Sequence, residues 1–215
     1  MYRFIIVLFL LYIIVDVSSF QLPKFSLNKT LKKTSINSNN NNKRLSLSMK
    51  VKIGVVGATG AVGQEIVSVM DKRSFKCDEL TLFSSSSSAG TQIKTNNFGD
   101  IVLEEFTFEK ASQLDMILLA VGGDFSLEWA EKLADAGVLV IDNSSAFRRD
   151  PSIPLIIPEI NIDAAKTSKK KIIANPNCTT AIALMALAPL HKEFGLKKVI
   201  MSTYQAASGA GKLLL

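Results

Sequence analysis

"VKIGVVGATGAVGQEIVSVM" occupies Val51–Met70 of a 215-residue chain, and it contains the change of period that decides the fold. Up to Gly57 it is a short apolar run rich in β-branched residues, the pattern of a strand buried on both faces of a parallel sheet. Beyond Ala58 the apolar residues Val62, Ile66, Val69 and Met70 fall on one face of a helix. Gly57, Gly60 and Gly63 stand three apart at the junction. A first glycine there permits the tight turn, a second lets backbone approach a pyrophosphate, and a third allows close helix–strand packing. The helix start then offers its unpaired N–H groups to an anion. Such glycines also serve plain packing, but their place at the first strand–helix junction points to a dinucleotide. Gly57, Thr59, Gly60, Ala61, Val62 and Gly63 are the candidate cofactor residues.

Strand and helix alternate onward from this stretch. "DELTLFS" predicts a second strand and "SSSSSAGTQ" a polar loop, while "DMILLAVGG" (Asp115–Gly123) predicts another buried strand. A helix from about Ser126 to Ala136 follows, then a strand in "GVLVIDNSS" (Gly137–Ser145). "KKIIANPN" leads into a helix beginning near Cys178, and "KKVIMSTYQ" (Lys197–Gln205) predicts a late strand. The expected fold is α/β, a Rossmann-type doubly wound, mostly parallel sheet. NAD sites usually place a carboxylate after the second strand, and this chain has serines there. Ser87 and Ser88, through hydroxyls and backbone N–H groups, suit a 2′-phosphate, so NADP is the preferred cofactor.

The net charge of +6 suggests a nucleic-acid partner only until it is located. Residues 1–49 hold seven basic residues and one acid, whereas the remaining 18 basic and 18 acidic residues cancel. A nucleic-acid role for the folded part has no electrostatic support. Phe4–Val15 is an apolar run of 12 residues, too short to span a bilayer comfortably, and "DVSS" follows it. Residues 1–19 therefore read as a signal peptide. Residues 20–48 lack acids and are rich in Lys, Ser, Asn and Thr, a transit-peptide composition. The pair resembles the bipartite address of plastids bounded by extra membranes; secretion with a spacer is the alternative. Two cysteines, Cys77 and Cys178, make no disulfide framework.

Cys178 sits in "NPNCTT" (Asn175–Thr180), where an apolar helix begins. Read alone, it is either a small residue beside a cap or a thiol at the positive end of a helix, where the reactive thiolate is favoured. Two further strings bear on it. "DNSSAFRRD" (Asp142–Asp150) follows the fourth strand, where an α/β sheet opens its crevice, and "STYQAASGAG" (Ser202–Gly211) ends a strand in small residues.

With "GATGAVG", and in this order, these strings resemble aspartate-semialdehyde dehydrogenase over residues 51–212. The resemblance implies an NADP-binding domain over 49–177 and the start of an α+β catalytic and dimerisation domain over 178–215. It implies reductive dephosphorylation of 4-phospho-aspartate to aspartate semialdehyde by NADPH, in aspartate-family amino-acid biosynthesis. Cys178 would be the nucleophile that carries the thioester, Asn177 would hold it or the developing oxyanion, and Gln205 would orient the substrate. Arg148 would grip the phosphate; neighbouring Arg149 would be a solvated charge. Gly122, Ser208 and Gly209 would lie by the cofactor. The partners implied are an acyl phosphate or semialdehyde, inorganic phosphate and a second copy of the chain, as a homodimer or homotetramer, with no metal and no membrane for the mature part.

Three departures qualify the match. Ser87 stands where many members have arginine, and "AVGG" (Ala120–Gly123) stands where "SAGG" is common. The family's histidine base, a second arginine and the rest of the catalytic domain belong downstream of "SGAG", so the 215 residues alone are expected to be inactive. His191, the only histidine, is expected at the far end of the Cys178 helix, roughly 20 Å away at 1.5 Å per residue. Cys77 is expected to be structural. N-acetyl-glutamyl-phosphate reductase shares the glycine loop and cysteine chemistry, but its motif resembles "PGCY" rather than "PNCT". A non-catalytic fragment is the remaining alternative.

Overall fold

The computed structural model describes residues 51–204. Six strands form one parallel sheet: β1 (Lys52–Val56), β2 (Glu79–Ser84), β5 (Glu104–Glu105), β6 (Met116–Leu119), β7 (Leu139–Asp142) and β8 (Ile172–Ala174). Their spatial order is β5-β2-β1-β6-β7-β8. Relative to chain order this is the 3-2-1-4-5-6 arrangement of a doubly wound sheet, whose strand order reverses between β1 and β6. The Rossmann-type expectation holds. Between β2 and β5 a small antiparallel pair, β3 (Gln92–Lys94) and β4 (Asp100–Val102), stands apart from the sheet.

The strands read as continuous apolar runs because both faces are covered. Along β6, Met116 and Leu118 join one buried cluster while Ile117 and Leu119 join the other. Ile141 and Val140 of β7 divide the same way, as do Ile173 and Ile172 of β8. Helix α1 (Ala61–Lys72) covers the first face with Ile66, Val69 and Met70. Helix α3 (Gly123–Asp135) covers the second with Ala130 and Leu133. Between β5 and β6 lies a single turn, α2 (Phe108–Ala111), and two more, α4 (Pro158–Asn161) and α5 (Asp163–Thr167), precede β8. The last helix is α6 (Cys178–Phe194).

One carboxylate ties the small hairpin to the main body. Asp71, 7% exposed near the end of α1, accepts hydrogen bonds from the backbone N–H groups of Asn96 (2.9 Å) and Asn97 (2.7 Å) and from both their side-chain amides. These donors, the Asn96 backbone N–H foremost, hold its carboxyl below the usual aspartate range.

The structure departs from the sequence reading at the end of the described chain. The late strand expected from Lys197 does not form: residues 197–204 lie outside any strand, and Ile200 is 85% exposed. A strand requires an edge to pair with, and among the described residues no edge lies alongside it. Helix α6 shows the same deficit, with Ala181 as its buried residue and Leu184, Met185, Leu190 and Phe194 exposed. Among the described residues no helix is long and apolar enough to cross a membrane.

Candidate active site

The candidate residues converge at the carboxyl ends of β1, β6, β7 and β8, where parallel sheets of this type open a crevice. Gly57 leaves β1 at φ +79°, and a Cβ on it would lie 2.5 Å from the Ala120 carbonyl oxygen. At Gly63 a Cβ would lie 2.1 Å from the Gly57 oxygen, so the helix seats against the turn only because both are glycines. Gly60 differs. Its nearest neighbour for a Cβ would be the Gly57 oxygen at 3.3 Å, and it stands at the N-cap of α1 with no side chain capping it. The first turn of α1 therefore has no side-chain cap for its N–H groups.

A second uncapped start lies across the switch point. Gly122 is the N-cap of α3, also without a side-chain cap, and a Cβ there would meet nothing within 4 Å. A Cβ at Gly60 would crowd the Gly57 oxygen, whereas packing does not explain glycine at Gly122. Two bare helix starts and the space above them fit a dinucleotide pyrophosphate. Beyond β2 the serine loop turns back on itself, with the Ser88 N–H donating to the Ser85 carbonyl (2.9 Å) and a hydroxyl pair between Ser85 and Ser87 (2.9 Å). Ser85, Ser86 and Ser87 are exposed. Thr59 is exposed too, and its carbonyl accepts from the Gln64 side chain (2.8 Å).

The third helix start is built differently. Asn177 caps α6, its carboxamide oxygen accepting from the Thr179 N–H (3.0 Å) and from the Thr179 hydroxyl. Cys178 is thus the first helical residue and is half-buried. Asn177 spends its oxygen on the cap, and its NH₂ is the part of the carboxamide that the cap does not use.

Arg148 is half-buried and held in two places. Its Nε donates to the Asn175 carbonyl (2.9 Å) and its Nη2 to the Asn143 carbonyl (2.8 Å). Those bonds use two of its five N–H groups, and among the described residues nothing takes the others. Burial pulls the guanidinium below its ordinary value, while the charges of Asp142 and of Cys178 act the other way. Arg149 is exposed, as a solvated charge would be.

Residues not singled out in the sequence brace this arrangement. Asp142 is fully buried and accepts from the Ser126 hydroxyl (2.7 Å), the Ser144 N–H (3.0 Å) and the Ser144 hydroxyl (2.7 Å). Asn175 donates its N–H to the Asp142 carbonyl (2.8 Å) and its NH₂ to the Asn143 side chain (2.6 Å). The string "DNSS" was visible, but its partner Ser126 lies on another element.

Two expectations concern residues away from the crevice. His191 is exposed on α6, and its Nδ1 accepts from the Leu196 N–H (3.1 Å), a helix-end role. Cys77 is half-buried, and burial, then Asp78, pushes its thiol up to about 11, which suits a structural cysteine. Gln205, Ser208 and Gly209 lie outside the described residues. Among the described residues no cluster of His, Cys, Asp or Glu is placed to hold a metal ion.

Comparison with known proteins bears on the family and the fold. Residues 52–168 match the family model of the semialdehyde dehydrogenase NAD-binding domain. An aspartate-semialdehyde dehydrogenase of Aquifex aeolicus is 45% identical over 165 residues, which is 76% of this chain and 48% of that protein. The crystal structure of aspartate semialdehyde dehydrogenase II from Vibrio cholerae superposes with a TM-score of 0.71 at 41% identity, over 76% of this chain and 49% of that one. The Candida albicans enzyme, solved with NADP, gives 0.53 at 28% identity over 68% of this chain and 48% of its own. The chain spans about half the length of the curated relatives it matches. It belongs to the semialdehyde dehydrogenase family, and residues 52–168 are its NAD-binding domain.

Proposed function

We propose that this chain forms the cofactor-binding half, and supplies the nucleophile, of an NADP-dependent aspartate-semialdehyde dehydrogenase. The observation that carries the reading is the Arg148 guanidinium fastened to the carbonyl of Asn175, three residues before Cys178. A fixed cation beside a half-buried cysteine at a helix start suits attack on an acyl phosphate.

In this reading Arg148 holds the phosphate through its remaining N–H groups, in the planar geometry that matches an oxyanion. Cys178 attacks the acyl carbon, the carbon–oxygen bond to phosphate breaks, and a thioester remains on the sulfur. The Asn177 NH₂ and the first N–H groups of α6 face the carbonyl oxygen as it gains charge. Gln205 orients the amino-acid end. The bare starts of α1 and α3 hold the pyrophosphate, and the serine loop at Ser87 and Ser88 receives the 2′-phosphate. A dinucleotide held there would supply the hydride that reduces the thioester.

The histidine base and a second substrate arginine would come from the part of the enzyme beyond these residues, because His191 is exposed in the last turn of α6 and accepts from the Leu196 N–H. For the presequence the proposal is import into a plastid, checked by the N-terminus of the mature protein from cells. For the activity, the whole enzyme containing this chain should reduce NADP with aspartate semialdehyde only when phosphate is present. Cys178→Ala should abolish that reduction. Reduction seen only with N-acetyl-glutamate semialdehyde would move the assignment to the related reductase.

A further inference from the structure

Aromatic rings of β2, α2, α3 and the turn after β5 meet on the second face of the sheet. Phe106 is their centre, edge-to-face with Phe83 (centroids 5.7 Å apart), Phe125 (4.9 Å) and Trp129 (5.4 Å). Phe83 is fully buried, but Phe106, Phe125 and Trp129 are half-buried, so the cluster reaches the surface. Seating α3 does not require them. Ala130 and Leu133, both 0% exposed, already fix that helix to the sheet, and Phe125 and Trp129 run along the neighbouring stripe.

The cluster touches both features that the cofactor reading uses. Phe106 donates its N–H to the carbonyl of Ser84 (3.4 Å), where the serine loop begins. The carbonyl of Phe83 accepts from the N–H groups of Gly57 (3.0 Å) and Ala58 (3.1 Å), in the glycine turn. Phe125 lies in the first turn of α3, just past the bare N-cap Gly122. Val121, whose Cγ1 would lie 3.0 Å from a Cβ on Gly57, packs in the same apolar cluster. In an adenosine 2′-phosphate 5′-diphosphate, one ribose carries both phosphate groups and the base. A ribose held between the serine loop and the helix starts therefore delivers its base beside these rings.

We propose that Phe106 and Phe125 form the wall that receives the adenine ring of the cofactor. The inference rests on the cofactor reading above and adds the residues that take the base. Phe83 and Trp129 back the wall. Stacking on aromatic surface suits a purine because every base presents a π-face.

The test is calorimetric titration of the whole enzyme containing this chain with 2′,5′-ADP and with NADP. Wild type should bind both; if it binds neither, the cofactor reading falls and this inference with it. Phe125→Leu keeps an apolar side chain but loses the ring. It should weaken both ligands by the same factor, about fivefold to twentyfold, while Phe125→Tyr should stay within about twofold of wild type. If the rings only pack, Phe125→Leu will lower the unfolding midpoint and bind 2′,5′-ADP as wild type does, which overturns the proposal. Should Phe125→Leu not fold, wild-type enzyme deuterated except at phenylalanine is mixed with 2′,5′-ADP. Transferred NOEs from phenylalanine ring protons to adenine H2 and H8 are expected, and their absence would equally overturn it.

Discussion

The Nε of Arg148 donates to the carbonyl of Asn175 at 2.9 Å, which fixes the only half-buried arginine of the "FRRD" turn against the strand end that leads to Cys178. Lysine cannot reproduce this hold, because it lacks the planar fork that bonds two carbonyls and still presents N–H groups to an anion. Arg148→Lys in the whole enzyme should lower kcat/KM by about tenfold to a hundredfold, with most of the loss in KM for phosphate. Steady-state kinetics with varied phosphate checks this. An unchanged KM for phosphate would remove Arg148 from the anion site.

The glycines of the cofactor crevice should separate into two kinds. Gly63→Ala drives a Cβ to 2.1 Å from the Gly57 oxygen, and backbone cannot yield as a side chain would. We expect a loss of about 3 kcal/mol in stability by denaturant unfolding. Gly122→Ala meets nothing within 4 Å, so its stability should stay within about 1 kcal/mol of wild type. Its NADP affinity, measured by fluorescence titration, should nevertheless fall about tenfold. A Gly122→Ala protein that binds NADP normally would show that the space above α3 is not the cofactor's.

Asp71 supplies a pH dependence whose sign follows from its hydrogen bonds. Its carboxyl is held below the unfolded value by the Asn96 N–H first, and then by Asn97. A depressed carboxylate stabilises the fold fully above the unfolded value near 3.9 and loses that contribution as pH falls through the folded value. Thermal unfolding should show Asp71→Asn less stable than wild type at neutral pH and flatter in the acid range. Parallel curves at all pH values would mean that Asp71 carries no linked proton. The hairpin β3–β4 should loosen in the same variant, seen as faster amide exchange at Asn96 and Asn97.

The two cysteines should report different environments. Cys77, with its thiol pushed up to about 11, holds on the order of one thiolate in a thousand at pH 8. Brief alkylation at that pH should label Cys178 and spare Cys77. Equal labelling would indicate that the environment around Cys77 opens in solution.

The sheet was legible because the strands had to be apolar on both faces, and runs such as "MILL" and "LVID" announce that directly. The nucleotide turn was legible for a similar reason: Gly57 and Gly63 are each required by a backbone contact that no other residue permits. Short strands such as Glu104–Glu105 carry no apolar signal and were missed. The strand expected from Lys197 shows the opposite error, since "VIMSTY" has strand composition but no edge beside it among the described residues. In the candidate site, Cys178, Asn177 and Arg148 are the residues that motif order singles out. Asp142, Ser126 and Asn175 were not singled out, because their importance lies in bonds between elements: Ser126 on α3 meets Asp142 at the end of β7, and Asn175 joins β8 to the arginine turn.

The central claim is that Cys178 carries the acyl group, and one measurement addresses it without relying on rates. The whole enzyme containing this chain is incubated with aspartate semialdehyde and NADP in the absence of phosphate, quenched in acid, and mapped by peptide mass. The account predicts an aspartyl adduct on the peptide containing Cys178, which disappears when phosphate is added before the quench. An adduct on another residue, or turnover with Cys178 unmodified and replaceable by alanine, would contradict it.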